Sequence, residues 1–379
     1  MQNTNLTLNP SLGRTFVRDQ RLDFWRGLCL IDMVVVHLVQ YGMQFGALGH
    51  EVLADYTRFA AGGYVLISGM TVGFVFFPRV LDPERRRAAY VSLFRRAVYI
   101  YLIHTAVTVL EVLILCPMRG DPIGPIDVTL FNTLTFRQGY DLLPFYVIML
   151  ALCPFVLELM RRRLGWAVAL LSTAGFLWGK VGYHYADFSP PITKTFFVVL
   201  WQPIFLMGIF AGTRLRWYGT LSTRTKQWTM AGFWLASTLI FFAAYGDHFH
   251  LRLPTPLSFW KIPLTFGEIL RYVCLVGAIV TTTDLLWRWI GDSAVAAYVN
   301  RLGRRSLAMY IAQIYVVGYV NNLVDSHPGP WGTQFFFMAL ALTILWLIAL
   351  AMDTIAVLRA RVRETETPLF AEPSGLTAS

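Results

Sequence analysis

FAAGGYVLISGMTVGFVFF, residues 59–77, runs for nineteen positions without a charged side chain. A hydrocarbon core of about 30 Å is crossed by about 20 apolar residues in a helix, and inside lipid only a helix or a closed barrel satisfies its own backbone. Continuous apolarity, rather than alternation, selects the helix. Outward from this stretch the same signature recurs along the chain. It predicts ten spans, near 24–42, 56–77, 97–117, 142–160, 165–179, 195–213, 228–246, 266–287, 305–323 and 334–357, of which the fifth is short and bounded by glycine. The expected fold is all-α, a polytopic membrane protein of about ten transmembrane helices.

Composition agrees. Of 379 residues 56% are apolar and 14% charged, against roughly 45–50% and about 25% in soluble domains. Four cysteines (Cys29, Cys116, Cys153 and Cys274) cannot staple a chain of this length; all fall in predicted spans, without metal-ligand spacing, so they read as small core residues. The first twenty or so residues are polar and lack the apolar core of a signal peptide. The expected organisation is a cytoplasmic N-terminal segment (1–23), one transmembrane domain (24–357) and a cytoplasmic tail (358–379), partly disordered from about Glu364. No internal repeat or linker divides it.

Ten spans put both termini on one side. Twenty-three of the 32 Lys and Arg fall on that side, seven on the other (Arg58, Arg119, Arg137, Lys180, Lys194, Arg252 and Lys261), and Arg26 and Arg271 lie within spans. Basic loops stay in the cytoplasm, so both termini are expected there. The net charge of +10 is then a topology signal, and no nucleic-acid partner is implied.

An ionisable side chain at bilayer depth is costly and marks a functional candidate. The first span, LDFWRGLCLIDMVVVHLVQYG (22–42), concentrates them: Asp23 and Arg26 near the cytoplasmic entry, Asp32 within, His37 deeper. Arg26 and His37 are eleven residues apart, about 16 Å along a helix and within about 20° of one face. One stripe thus presents a cation at one level and an imidazole, a base effective near neutral pH, at another. Asp23 precedes Arg26 by three residues, close enough to pair. Such an arrangement suits a substrate anionic at one end and reactive at the other; an interfacial ion pair and a histidine bonded to a neighbouring helix would look the same.

Other stretches add candidates. Gly69 and Gly73 of the second span allow close approach of a thin ligand, and are also the generic spacing of packed helices; Ser68 beside Gly69 is a hydrogen-bond donor. In the loop PRVLDPERRRAAYVSLFRRAVYIYLIH, Arg95 and Arg96 stand at the start of the third span, with the guanidinium geometry that matches phosphate oxygens. His104 and Glu111, seven apart, share a helical face. Glu268 and Arg271 form an i, i+3 pair that reads as structural. Asp141, where the chain re-enters from outside, either caps a helix or touches an acceptor. The outer loop DHFHLRLPTPLSFWKIPLT carries His248, His250 and Trp260, suited to sugar stacking or to an interfacial belt. There is no phosphate-binding lysine loop, no G-x-S-x-G, no H-E-x-x-H and no repeat symmetry of the transporter kind.

RLDFWRGLCLIDMVVVHL, followed by YVLISGMTVGFVF and LFRRAVYIY, resembles the integral-membrane acyltransferase 3 superfamily. DLLPFYVIMLALCPFVLELMRRR and LGRRSLAMYIAQIYVVGYV resemble its OpgC branch, named for succinylation of osmoregulated periplasmic glucans; the similarity spans residues 18–355. The resemblance implies O-acyl transfer from cytoplasmic acyl-CoA to a sugar hydroxyl outside, in a bacterial inner membrane. His37 takes the place of the family's essential histidine, Arg26 of its paired arginine, Arg95 and Arg96 of arginines near the CoA phosphates, and Ser68 and Gly69 of the second-span motif. Gln313 stands where the wider superfamily often has a histidine.

On this reading His37, with Arg26 and Asp23, is catalytic. Arg95, Arg96, Ser68, Gly69, Glu111 and Asp141 bind substrate. The donor is succinyl-CoA or another acyl-CoA and no cofactor or metal is held permanently. The partners are a periplasmic glucan or other carbohydrate and membrane lipid. His37 deprotonates the acceptor hydroxyl, or an acyl-enzyme forms first; Ser68, an amide or a tyrosine stabilises the oxyanion. A succinyl carboxylate would call for a cation near the acyl end, supplied by Arg271, Lys261 or Arg26. An acetyltransferase of another surface polysaccharide and a secondary transporter are the alternatives.

Overall fold

Ten long helices and one short one account for nearly all of residues 19–41, 59–115, 134, 142–184, 198–245, 257–261, 263–326 and 331–366, which are those the computed structural model describes. They are α1 (Gln20–Tyr41), α2 (Phe59–Leu81), α3 (Pro83–Leu110, continued by a π turn, Glu111–Leu115), α4 (Leu142–Arg161) and α5 (Gly165–His184). α6 (Val198–Gly219), α7 (Thr223–Tyr245), α8 (Phe266–Ile290), α9 (Ala294–Arg304), α10 (Ser306–Ser326) and α11 (Trp331–Glu366) follow. Among the described residues there is no strand, only an isolated bridge between Lys261 and Leu264. The protein is an all-α polytopic membrane protein.

Eight of these helices are long and apolar enough to cross a bilayer. The other two long helices, α1 and α5, occupy the positions of the first and fifth expected spans. α1 carries several charges because it lies at the centre: Trp25, Cys29, Val34, Leu38 and Val39 are almost wholly covered, and α2, α8, α9, α10 and α11 all pack on it. The outer helices expose Phe94, Leu102, Phe155, Leu170, Trp178, Leu235 and Phe336. An apolar exterior of this extent is a surface for lipid.

The sharpest local departures from the expected boundaries are at polar junctions. The stretch after Arg79, expected to be a loop, is a helix–helix joint one residue long. Asp82 accepts the Glu84 N–H and Pro83 occupies the first turn, where its missing N–H costs nothing. Arg85, Arg86, Arg87, Arg95 and Arg96 are therefore on α3 itself, which begins fourteen residues before the predicted span. α9 was not expected as a helix. Ser293 caps it, accepting the Ala296 N–H, and Ala296, Val299 and Leu302 bury one face. α11 runs to Glu366, past the expected end at 357, because the polar residues beyond are good helix formers.

Ion pairs and ring contacts gather the basic segments at one end of the bundle. Asp284, near the end of α8, receives Arg21 from the start of α1 and Lys226 from the start of α7, the latter at 3.1 Å. The hydrogen bond to Asp19, with the Asp284 charge adding to it, raises the Arg21 pKa above an already high value. Tyr90 of α3 donates to Glu158 of α4 at 2.8 Å, and the Arg216 guanidinium of α6 lies 5.2 Å from the centre of the Phe74 ring on α2. These are the segments that the charge count assigns together.

Two close helix crossings set the frame. α2 and α6 form the most extensive pair, since a Cβ at Gly69 or Gly73 would run into the Phe205 or Ile209 carbonyl, and one at Gly208 or Gly212 into the Leu66 or Met70 carbonyl. Backbone meets backbone directly, as small residues permit in membranes. Gly27 and Gly303 do the same for α1 and α9, which places Asp23 against the end of α9.

Candidate active site

The basic end opens into a cavity of about 380 Å³ walled by α1, α2, α3, α4, α6, the end of α9, α10 and the Met352 region of α11. Arg26, Arg96, Arg304 and Arg305 line it, with the hydroxyls of Tyr64, Ser68, Tyr146 and Ser306, and Phe76, Ile103 and Ile311 supply apolar wall. No acidic side chain is among these lining residues.

Each element contributes for a local reason. Arg26 sits one turn beyond Asp23 on α1, and the two pair at 3.9 Å with both side chains largely covered. This is the spacing expected from the sequence. Ser68 is half-buried on the face of α2 next to the one that Gly69 turns to α6. The Tyr146 hydroxyl of α4 donates to Ser68 Oγ at 3.1 Å, and its ring meets those of Tyr64 and Phe205 edge-on, centroids 5.8 and 6.3 Å apart. Tyr64 is hydrogen-bonded to Ser306 at the head of α10 and lies within electrostatic reach of Arg26 and Arg96.

The structure thus brings Arg26, Arg96 and Ser68 into one cavity, with Asp23 behind Arg26. Arg95 is exposed on the neighbouring face of α3 and does not line it. Gly69 serves the α2–α6 contact. His104 is fully buried and Glu111, half-buried, opens the π turn; neither lines the cavity. Asp141, Cys116, His248 and His250 fall outside the described residues. His37 is half-buried farther along α1, beyond the cavity, and Lys261 is near enough for their charges to interact. Gln313 is fully buried, its amide against the Met33 sulfur.

A second charged cluster lies away from the cavity. Arg271 holds Glu268 through two contacts, Nε to Oε2 at 2.7 Å and a terminal nitrogen to Oε1 at 2.6 Å, with both residues buried. Asp32 on α1 accepts the Ala60 N–H in the first turn of α2 and feels the Arg271 charge. A carboxylate there satisfies one of the N–H groups that a helix start leaves without a partner, and complements its dipole. Arg271 is thereby engaged by Glu268.

Reading residues singly missed Tyr64, Tyr146, Arg304 and Arg305. The two arginines counted only toward topology, and the tyrosines sit inside apolar runs; LGRRS at the foot of a span was their one visible signal. Among the described residues no group of His, Cys, Asp and Glu is arranged to hold a metal ion. Chemically, the cavity joins a cationic mouth to neutral hydroxyl donors between apolar walls. That combination is chemically suited to an anionic head, a slender chain and a carbonyl.

Comparison with family models decides the class: the model described as an acyltransferase domain, acyltransferase 3, matches residues 19–350. The chain belongs to the acyltransferase 3 family. No curated protein matches it. The matched region begins just before α1 and ends within α11, so it holds every residue that lines the cavity except Met352.

Proposed function

We propose that this membrane acyltransferase moves an acyl group from cytoplasmic acyl-CoA to a sugar hydroxyl on the opposite side of a bacterial inner membrane. Within that class we favour succinyl transfer to a periplasmic glucan, as in the OpgC branch. The observation that carries the reading is the convergence of Arg26, Arg96 and Ser68 in a cavity open at the basic end.

The arginines hold the phosphates of the nucleotide head. The pantetheine arm, comparable to four or five extended residues, reaches about 16 Å, the length of α1 between Arg26 and His37. His37 accepts the proton of the acceptor hydroxyl as its oxygen attacks the thioester carbonyl. The carbon–sulfur bond then breaks, the sugar ester remains, and the departing thiolate takes the proton from the imidazolium. Ser68 supplies a hydroxyl donor to the developing oxyanion, and the Tyr146 O–H, donating to Ser68 Oγ, orients and polarises it.

Mass spectrometry of periplasmic glucans from a deletion strain, complemented with wild type or His37→Ala, tests this directly. Succinyl groups should vanish on deletion, return with the wild type and stay absent with the variant. Unchanged succinyl content on deletion overturns the glucan assignment; acetyl groups lost from another surface polysaccharide would replace it.

A further inference from the structure

Met352 lines the cavity, and the next residue of α11, Asp353, directs its carboxylate to three arginines of α9 and its junction with α10. Oδ1 meets Arg305 Nε at 3.1 Å; Oδ2 meets Arg301 Nε at 3.4 Å and a terminal nitrogen of Arg304 at 3.6 Å. Arg304 and Arg305 line the cavity, whereas Arg301 stacks its guanidinium over Trp346 at 5.2 Å and does not. One carboxylate therefore faces three guanidiniums, and the cavity adds Arg26 and Arg96 without an acidic lining residue.

We propose that Arg304 and Arg305 bind the phosphates of the acyl donor, and that Asp353 is a built-in anion which holds them in place until a phosphate takes over. This rests on the acyl-CoA reading above and extends it to residues and a mechanism of entry. The physical grounds are geometric and electrostatic. A guanidinium presents several donors in a planar fork that phosphate oxygens match in pairs. Asp353 reaches Arg304 and Arg305 with one oxygen each, and the contact to Arg304 is long. The side chains of Asp353, Arg304 and Arg305 are 26%, 46% and 33% exposed, so the contacts are weak, solvent-screened ones. A polyanion exchanges readily with such a pair. With the phosphate in place, Asp353 retains Arg301, so α11 stays fastened to α9.

The test compares two thioesters on the purified full-length protein: acyl-CoA, and the same acyl group on N-acetylcysteamine, which lacks the nucleotide head. Arg304→Gln and Arg305→Gln should each raise KM for acyl-CoA about tenfold, the size of one lost charge-assisted contact, and leave KM for the truncated thioester unchanged. Asp353→Asn should lower KM for acyl-CoA several-fold, because a competing anion is gone. Arg301→Gln should not alter the ratio of the two KM values. If an arginine-to-glutamine variant does not insert, Arg305→Lys serves, with a smaller shift in the same ratio. The inference is overturned if the arginine variants change both KM values equally or neither. It is equally overturned if Asp353→Asn lowers thermal stability while the ratio stays at the wild-type value, the signature of a fastening alone. Wild-type protein that releases no thiol from either thioester would instead defeat the acyl-CoA reading itself.

Discussion

The Tyr146 hydroxyl donates to Ser68 Oγ across the contact of α4 with α2, at 3.1 Å, and both side chains face the arginine-lined cavity. On the proposed reading this pair serves the oxyanion that forms at the thioester carbonyl. Removal of one oxyanion donor typically costs about 100- to 1000-fold in turnover, and a donor and the hydroxyl that bonds to it do not act independently. Ser68→Ala and Tyr146→Phe should each lower kcat by about 100-fold with KM for the donor nearly unchanged. The double variant should be little worse than either. Steady-state kinetics in detergent check this; additive losses would show that the two hydroxyls work apart.

Arg95 and Arg96 are adjacent in sequence and unequal in the structure, since only Arg96 reaches the cavity. Arg96→Gln should raise KM for the donor about tenfold, as expected for a charge-assisted contact. Arg95→Gln should leave it within twofold. Equal effects would place the phosphates outside the cavity, over the exposed face of α3.

For His37 the expectation is loss of turnover without loss of fold. A positioned general base contributes about 100- to 10,000-fold, so His37→Ala and His37→Gln should fall by that factor while thermal unfolding in detergent shifts little. A variant with wild-type turnover would transfer the base role to another residue.

The Glu268–Arg271 pair is covered on all sides, and breaking a buried pair leaves an uncompensated charge. Glu268→Gln or Arg271→Met alone should destabilise the protein by about 3–5 kcal/mol. Replacing both with apolar side chains should recover much of that. Thermal unfolding of the three variants measures it, and equal loss in the double variant would indicate a further role for the network with Asp32.

Which features the sequence displayed follows from what each depends on. The ten long helices were legible because each rests on its own apolar run, and the Arg26–Asp23 pair because residues three apart on one helix are neighbours. α9 escaped because an eleven-residue amphipathic helix has too few apolar positions to stand out from a basic loop. The joint at Asp82 escaped because arginine-rich composition hides good helix formers. Arg96 could not be told from Arg95, nor Arg304 and Arg305 from topology signals, since the difference is the rotation of α3 and α9 relative to helices distant in sequence. The tyrosines were hidden likewise, each being one more apolar-looking position in a span. The small-residue spacing of Gly69 and Gly73 admitted two readings, and the facing glycines at 208 and 212, over a hundred residues away, decide for packing.

That interlock has a mechanical consequence. With carbonyls seated against α-carbons over two turns, α2 cannot slide along α6 by a register without driving main chain through main chain, so the pair moves as one stiff post. On the acyl-CoA reading, any widening that lets a bulky nucleotide in falls to the opposite wall, where Arg304, Arg305 and Ser306 join α9 to α10.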